Sequence, residues 1–319
     1  MRRGFSLLEL FIVLGITVFV LSAIYFGYTY LFKGFLQRSS ESTVQIQSMV
    51  GLEILRQDVE HAGYGIGVNE PSLPIETVAY GASGYDLIIR STYDITNDLT
   101  RGWALVNCAA SGSAPTQLAP PLSEWVFPSS AKAVFLNLQG DVVAGNSDYV
   151  CPDTGYYLTY PIPDIGSATP ICSTEVCAQI EYYLYRSPTS PNPVCPDLYT
   201  LGRKVSWKLT STGKPSGRVR PMIDCVADFQ VRYDWGNSTY VDPLTDPAVK
   251  SATALDERKN LKLVHIYLLI REGKKDPNYT FTGSTTIDGV TLRLPSTPDA
   301  IHYHWKVVKL TVQPMNLVH

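Results

Sequence analysis

Residues 5–32 form an unbroken run of 28 positions in which one side chain, Glu9, is charged at neutral pH; Arg2 and Arg3 precede the run, and Lys33 and Arg38 follow it. A membrane-crossing helix needs about 20 apolar residues at roughly 1.5 Å rise each, so this run crosses a bilayer core and continues beyond it. The arginine flank is expected to stay in the cytoplasm and everything after Lys33 to be exported. A carboxylate inside such a run costs roughly 2.5–3.5 kcal/mol at the bilayer centre and less near its edge, so Glu9 asks for a partner.

A cleaved secretory signal has an apolar core of about 7–15 residues followed by a small-residue cleavage site. This run is about twice that length and carries an acid at its entrance. Arg2-Arg3-Gly4-Phe5-Ser6-Leu7 faintly resembles a twin-arginine export signal, but the run is too long for one and Glu9 has no role there. The string Arg3-Gly4-Phe5-Ser6-Leu7-Leu8-Glu9 resembles the type IV pilin signature, in which a short basic leader ends in Gly, Phe follows, and the fifth mature residue is Glu. The resemblance implies that a prepilin peptidase cuts after Gly4 and methylates the new amine of Phe5. Phe5 and Glu9 are one helical turn apart, and a carboxylate near a helix N-terminus is favoured by the dipole and by unsatisfied N–H groups. The partner of Glu9 would be a neighbouring subunit's terminal ammonium; the alternative is a plain membrane anchor whose Glu9 snorkels to the cytoplasmic surface.

Beyond the helix about 250 residues remain, enough for one large domain or two small ones. Lys and Arg number 26 against 29 Asp and Glu, which gives no footprint of a dedicated nucleic-acid binder. Low charge with 23 Gly, 22 Pro and 20 Tyr points to a loop-rich, β-rich extracytoplasmic domain. Cys108, Cys151, Cys172, Cys177, Cys195 and Cys225 all lie on the exported side, where an even count reads as disulfides. Six cysteines allow about 15 pairings. Cys172 and Cys177 are the closest in sequence and candidates for closing a short turn. No C-x-x-C occurs, which disfavours a zinc site or attached haem.

The helix is expected to run from 5 to 62, with 5–32 in the membrane and an amphipathic half at 33–62. There Ile46, Met49, Leu52, Leu55 and Val59 recur at spacings of three and four and should pack on the globular domain, 63–319. Gly63, Gly65 and Gly67 end it. After that the period becomes two. Strands are expected at 86–92, 103–106, 133–138, 156–160, 180–186, 203–209, 225–233, 261–271 and 305–312, with surface loops at 111–121 and 161–170. The segment Leu55-Arg56-Gln57-Asp58-Val59-Glu60-His61-Ala62-Gly63-Tyr64 is similar to one in PilW-type minor pilins. The strands at 180–184, 225–233, 264–271 and 308–312 resemble theirs in the same order. Two places depart from the family: Phe26 stands where a helix-breaking proline is common, and Pro314-Met315 precedes Asn316 where an Arg-Asn end is usual.

No phosphate loop, nucleophile elbow or H-E-x-x-H occurs. His302 and His304 could share one strand face and bind a metal, but a hydrogen-bonded pair is the plainer reading. Asp94, Asn97 and Asp98, and the segment 234–246, read as solvated turns without the spacing of a calcium loop. The expectation is therefore an α+β, pilin-like protein: a long N-terminal transmembrane and amphipathic helix packed on an antiparallel, β-sheet-rich, disulfide-stapled globular domain, with no enzymatic activity and no cofactor. The resemblance implies a minor pilin in type IV pilus assembly or initiation, held in the bacterial inner membrane and then at the cell surface. Its implied partners are other major and minor pilins, the prepilin peptidase, the assembly machinery and a tip adhesin. A type II secretion pseudopilin of the GspJ kind and a membrane-anchored surface adhesin are the alternatives.

Overall fold

The structure, a computed structural model, describes residues 7–80, 84–186 and 195–317, with the side chains at 8, 9 and 33–47 outside that description. Helix α1 (Leu7–Glu60) runs 54 residues without a proline. After it come β1 (Ile75–Tyr80), β2 (Gly84–Ser91), β3 (Ala104–Cys108), β4 (Thr116–Ala119), β5 (Lys132–Leu136), β6 (Val142–Ser147), β7 (Gly155–Ile162) and β8 (Ala178–Tyr185). The second half supplies β9 (Tyr199–Ser206), β10 (Val219–Trp235), β11 (Ser238–Val241), α2 (Pro247–Lys250), α3 (Ala254–Asn260), β12 (Leu261–Glu272), β13 (Thr286–Ile287), β14 (Val290–Thr291) and β15 (His304–Val312).

The large sheet has the order β1-β2-β8-β9-β10-β12-β15, with β11 beside β10. It is antiparallel apart from one bridge between Phe229 and Gly84. β2 and β8 pair directly, Ile89 opposite Ile180, although the whole of β3–β7 lies between them in sequence. That excursion forms a second antiparallel sheet, β4-β3-β7-β5-β6. β10 serves two neighbours: its first part pairs with β9 and its remainder with β12, the register shifting around Cys225, which sits at φ 61°.

Each sheet has its own apolar core. One face of the large sheet gathers Leu87, Ile89, Ile180, Phe229, Val231, Ile266 and Leu268 around Leu55, Val59 and Ala62 of α1. The small sheet collects Val106, Ala133, Phe135 and Tyr157 around the buried Cys108 and Cys151. The six cysteines form three bonds, Cys108–Cys151, Cys172–Cys177 and Cys195–Cys225. The first closes the small sheet, the second ties its exit next to β8, and the third pins the approach to β9 against the bend in β10.

Sequence patterning finds nine of the strands but not β1, β4, β6, β11, β13 or β14. The segment 111–121 is not all loop: Thr116–Ala119 is a strand whose alternate residues are exposed, made by pairing with β3 rather than by apolar content of its own. Likewise 234–246 contains β11, and its first two residues, Asp234 and Trp235, end β10. Asp234 there accepts a hydrogen bond from Tyr240 N–H at 3.1 Å and lies 2.9 Å from His265 Nε2, so it is a strand-end anchor and not a solvated turn.

Of the expected stripe of α1, Leu55 and Val59 are fully buried and Leu52 packs against the core, but Met49 is 72 % exposed; Gly51, Asp58 and Ala62 are buried as well, and the Ile46 side chain lies outside the described residues. Gly51 is where the helix comes closest to the sheet: a Cβ there would lie 2.7 Å from Ile223 Cγ1 and 3.0 Å from the Met222 carbonyl. Gly63 and Gly65, at φ 76° and 67°, then turn the chain out of the helix. Gly51→Val should lower the unfolding free energy of the domain by about 1–3 kcal/mol, because backbone cannot yield as a side-chain tip can. Gly27→Ala, which meets nothing within 4 Å, should leave it unchanged. Denaturant titration followed by tryptophan fluorescence in detergent compares the two.

Candidate functional site: an exposed apolar helix and its buried anchor

The residues Leu10–Phe32 of α1 make a 23-residue helical stretch long and apolar enough to cross a membrane. Apart from the half-buried Thr29, all its side chains are exposed, with Phe11 at 66 % and Phe19 at 76 %. Its serine and threonine hydroxyls turn inward to the helix itself: Thr17 donates to the Val13 carbonyl at 2.7 Å, Ser22 to Val18 at 2.8 Å and Thr29 to Phe26 at 3.0 Å. The exposed hydroxyls that remain, on Tyr25, Tyr28 and Tyr30, cluster toward the outer end of the stretch, where tyrosine suits a membrane–water interface. Gly4 and Phe5 lie outside the described residues; Glu9 belongs to the helix, but its side chain lies outside them too.

At its other end the helix is bolted to the large sheet. Asp58 projects into the core, where Arg203 of β9 meets it with a fork, Nε to Oδ2 at 2.6 Å and Nη2 to Oδ1 at 3.0 Å. The Tyr182 hydroxyl of β8 donates to the same Oδ2 at 2.6 Å, and Arg203 Nη2 also reaches Asp94 Oδ1 at 3.0 Å. The side chains of Asp58 and Arg203 are 0 % and 1 % exposed. Burial pushes the Asp58 carboxyl up from its ordinary range, against the opposing pull of Arg203's hydrogen bonds and charge. Burial also works against the guanidinium, but the Asp58 hydrogen bonds and charge outweigh it and hold Arg203 protonated.

Two further clamps complete the anchor. The C-terminal tail caps the helix: Met315 N–H and Asn316 Nδ2 donate to the Glu60 carbonyl at 3.0 and 3.2 Å, and Leu317 is fully buried beside Gly63. Rings carry the contact on to the small sheet, with His61 stacked on Tyr93 at 4.1 Å and Tyr64 edge-on to Tyr160 of β7 at 4.9 Å.

A second buried polar group joins the two sheets. Glu70 accepts from the N–H groups of Ser72, Ser173 and Thr174, pinning the disulfide-closed turn Cys172–Cys177 against the segment after α1. Its neighbour Glu175 accepts from Gly67 N–H at 3.1 Å, while Arg258 of α3 donates to the carbonyls of Ile66 and Gly67. Burial, with the added charge of Glu70, raises Glu175 to about 8.

The oxygen-rich loop at Asp94 is not a solvated turn. Asp94 is buried by its engagement with Arg203 and Thr96, Asn97 caps a short turn by accepting from Leu99 N–H, and Asp98 pairs with Arg101. His302 and His304 do not converge: His302 Nδ1 bonds the Tyr279 carbonyl at 2.7 Å, and His304 stacks on the Tyr279 ring. No group of three or more metal-ligating side chains occurs among the described residues. Sequence reasoning missed Arg203 and Tyr182 as Asp58's partners. The one available signal was an acid in the helix stripe, at spacings of three from Leu55 and four to Ala62.

No family model matches the chain, and none of the curated proteins matches its sequence. Among solved structures, a type IV-like pilin from Thermus thermophilus is similar at 12 % identity and a TM-score of 0.40, over 86 % of this chain and 97 % of that one.

Asp58→Asn should cost about 3–5 kcal/mol of stability, because it removes the charge that Arg203 meets with its fork and leaves the buried guanidinium to Asp94. The double change Asp58→Leu with Arg203→Leu should recover much of that loss, which a double-mutant cycle by denaturant unfolding measures. Glu175 sets a pH dependence of opposite sense to an ordinary surface acid. Held protonated in the folded chain, it favours folding in full below its ordinary 4.5, and that contribution falls away as the pH climbs to about 8. Glu175→Gln should flatten the decline in thermal stability between those two pH values while leaving the stability at low pH unchanged.

Proposed function

We propose that this chain is a type IV pilin-type filament subunit of the minor-pilin kind, a structural protein and not an enzyme. The observation that carries the reading is the 23-residue apolar stretch, exposed almost throughout and continuous with a helix anchored in the domain core. Such a surface is compatible with a bilayer and, after extraction, with packing against like helices. The string from Arg3 to Glu9 adds the processing step. A prepilin peptidase removes residues 1–4 and methylates the Phe5 amine, and Glu9 then faces the terminal ammonium of a neighbouring pilin. The domain sits on the outer side of the inner membrane before assembly and at the cell surface afterwards. The inserted small sheet enlarges the domain, which supports a tip or initiation subunit over a repeating shaft subunit.

A carboxylate and an ammonium about 4 Å apart attract by about 4 kcal/mol at an effective dielectric of roughly 20, before desolvation is deducted. Glu9→Val removes that attraction and the cost of burying an acid in lipid. The variant is expected to be cleaved after Gly4 and to reach normal membrane levels, yet to be depleted from sheared surface filaments. Mass spectrometry of the N-terminus and quantification of the filament fraction in a complemented deletion strain read the two effects separately. An intact Met1 in cells holding the peptidase would overturn the processing step, and normal incorporation of Glu9→Val would reduce Glu9 to an anchor residue.

A further inference from the structure

Away from the membrane helix, a cavity of about 160 Å³ opens between β1, the end of β10 and the segment leading into α3. Glu257 of α3 lines it while being only 2 % exposed. One of its oxygens, Oε1, accepts from Ile75 N–H at 2.7 Å; the other, Oε2, is buried and no protein group among the described residues bonds to it. Neither of the nearest cations bonds to it: Arg90 spends its guanidinium on the Leu73 carbonyl and Glu76, and Arg258 donates through Nη2 to the carbonyls of Ile66 and Gly67 while its Nε stays buried without a bond among the described residues. A buried carboxyl oxygen without a protein donor costs stability, and this one stands in the wall of an accessible cavity.

The rest of the lining narrows what could fill it. Tyr233 and Trp235 supply aromatic faces, and Leu73, Pro243 and Val249 supply apolar ones. Two carboxyls, Glu76 and Glu257, stand against one ammonium, that of the exposed Lys250. An anion would find no buried cation in the lining. A purely apolar guest would leave Glu257 Oε2 unpaired. A guanidinium is a broad planar fork suited to two free oxygens, whereas an ammonium satisfies a single oxygen as a point charge and is attracted by aromatic faces.

We infer that this cavity is a binding site for a primary alkylammonium group, its nitrogen on Glu257 Oε2 and its alkyl arm against Trp235 and Val249, carried either by a free amine or by a lysine side chain. The inference is independent of the filament reading. Burial raises the Glu257 carboxyl well above its ordinary range, so a cation bound beside it draws it toward the charged form and favours proton release.

The test is titration calorimetry on the full-length protein in detergent at pH 7, with n-butylammonium as the probe, 1-butanol as its neutral counterpart, and guanidinium. Saturable one-to-one binding of butylammonium is expected, about tenfold or more tighter than either comparison ligand, and weakened about tenfold by Glu257→Gln, whose amide oxygen can still accept from Ile75. Buffers of different ionisation enthalpy should reveal close to one proton released. Val249→Phe, which fills the cavity and leaves Glu257 in place, should abolish binding and serves as the test should Glu257→Gln fail to fold. A blocked lysine amide binding as well as butylammonium assigns the site to a lysine side chain; butylammonium binding alone assigns it to a free amine. Absence of saturable heat, equal binding of 1-butanol, or full affinity in either variant would overturn the proposal.

Discussion

The ion pair between Asp58 and Arg203 is the constraint on which the arrangement of helix and sheet depends. Apolar contacts hold α1 against the sheet without fixing where along its length it sits. A slide of one turn would exchange Leu55 for Val59 and still bury an apolar side chain. Two residues forbid it. The slide would bring Leu55 to the place of Gly51, where even a Cβ lies 3.0 Å from the Met222 carbonyl. It would also withdraw Asp58 from the guanidinium fork, leaving the acid buried without its cation and Arg203 with Asp94, a loss of about 3–5 kcal/mol. Replacing the whole cluster by apolar residues would keep the adhesion and lose the register, which is the argument for retaining so expensive an interaction in the core.

The same logic recurs at the join between the sheets. β2 and β8 pair in the large sheet, so everything from β3 to β7 hangs from two adjacent exits. Glu70 grips the disulfide-closed turn at the returning exit, and Glu175 beside it accepts from Gly67 just after the helix. With Asp58, Glu175 and Glu257 all buried, acids are the means by which loops and helix ends are tied to the scaffold here. They differ in state: Asp58 faces a cation, whereas burial raises Glu175 to about 8 and it is held protonated at neutral pH.

This division explains what the sequence could disclose. The membrane run was legible because hydrophobicity over 23 residues is a local signal, and nine strands were legible because their alternation or apolar runs are their own. β4 and β11 were not, since each is a strand only by virtue of its neighbour. The closest pair of cysteines stood out, but the partners of Cys108 and Cys195 are fixed by tertiary contacts 43 and 30 residues away. Asp94 looked like part of a solvated turn because nothing near it in sequence announces Arg203, which arrives 109 residues later on β9. Met49 looked like core because its spacing fits; the packed face holds the expected Leu52, Leu55 and Val59 but also a glycine and an aspartate that a hydrophobicity reading passes over.

The continuity of α1 gives the anchor its reach. From Phe32, where the apolar stretch ends, to Gly51, where the helix first meets the sheet, the backbone stays helical with no proline. At about 100° of rotation and 1.5 Å per residue, that stalk converts the position of Asp58 into a fixed azimuth and height for the apolar surface beyond it. A side chain such as Phe19 therefore points in a direction set by the ion pair in the domain, through a rod held by its own backbone hydrogen bonds. Softness in α1 is available at Gly34, inside the stalk, and at Gly27, which lies inside the apolar stretch and meets nothing within 4 Å. A helix glycine costs about 1 kcal/mol relative to Ala, so it marks a place of weaker helix without interrupting the hydrogen-bond ladder as a proline would. Phe26 beside Gly27 keeps that ladder whole, and the orientation fixed at residues 51–62 is carried to the first turn of the span.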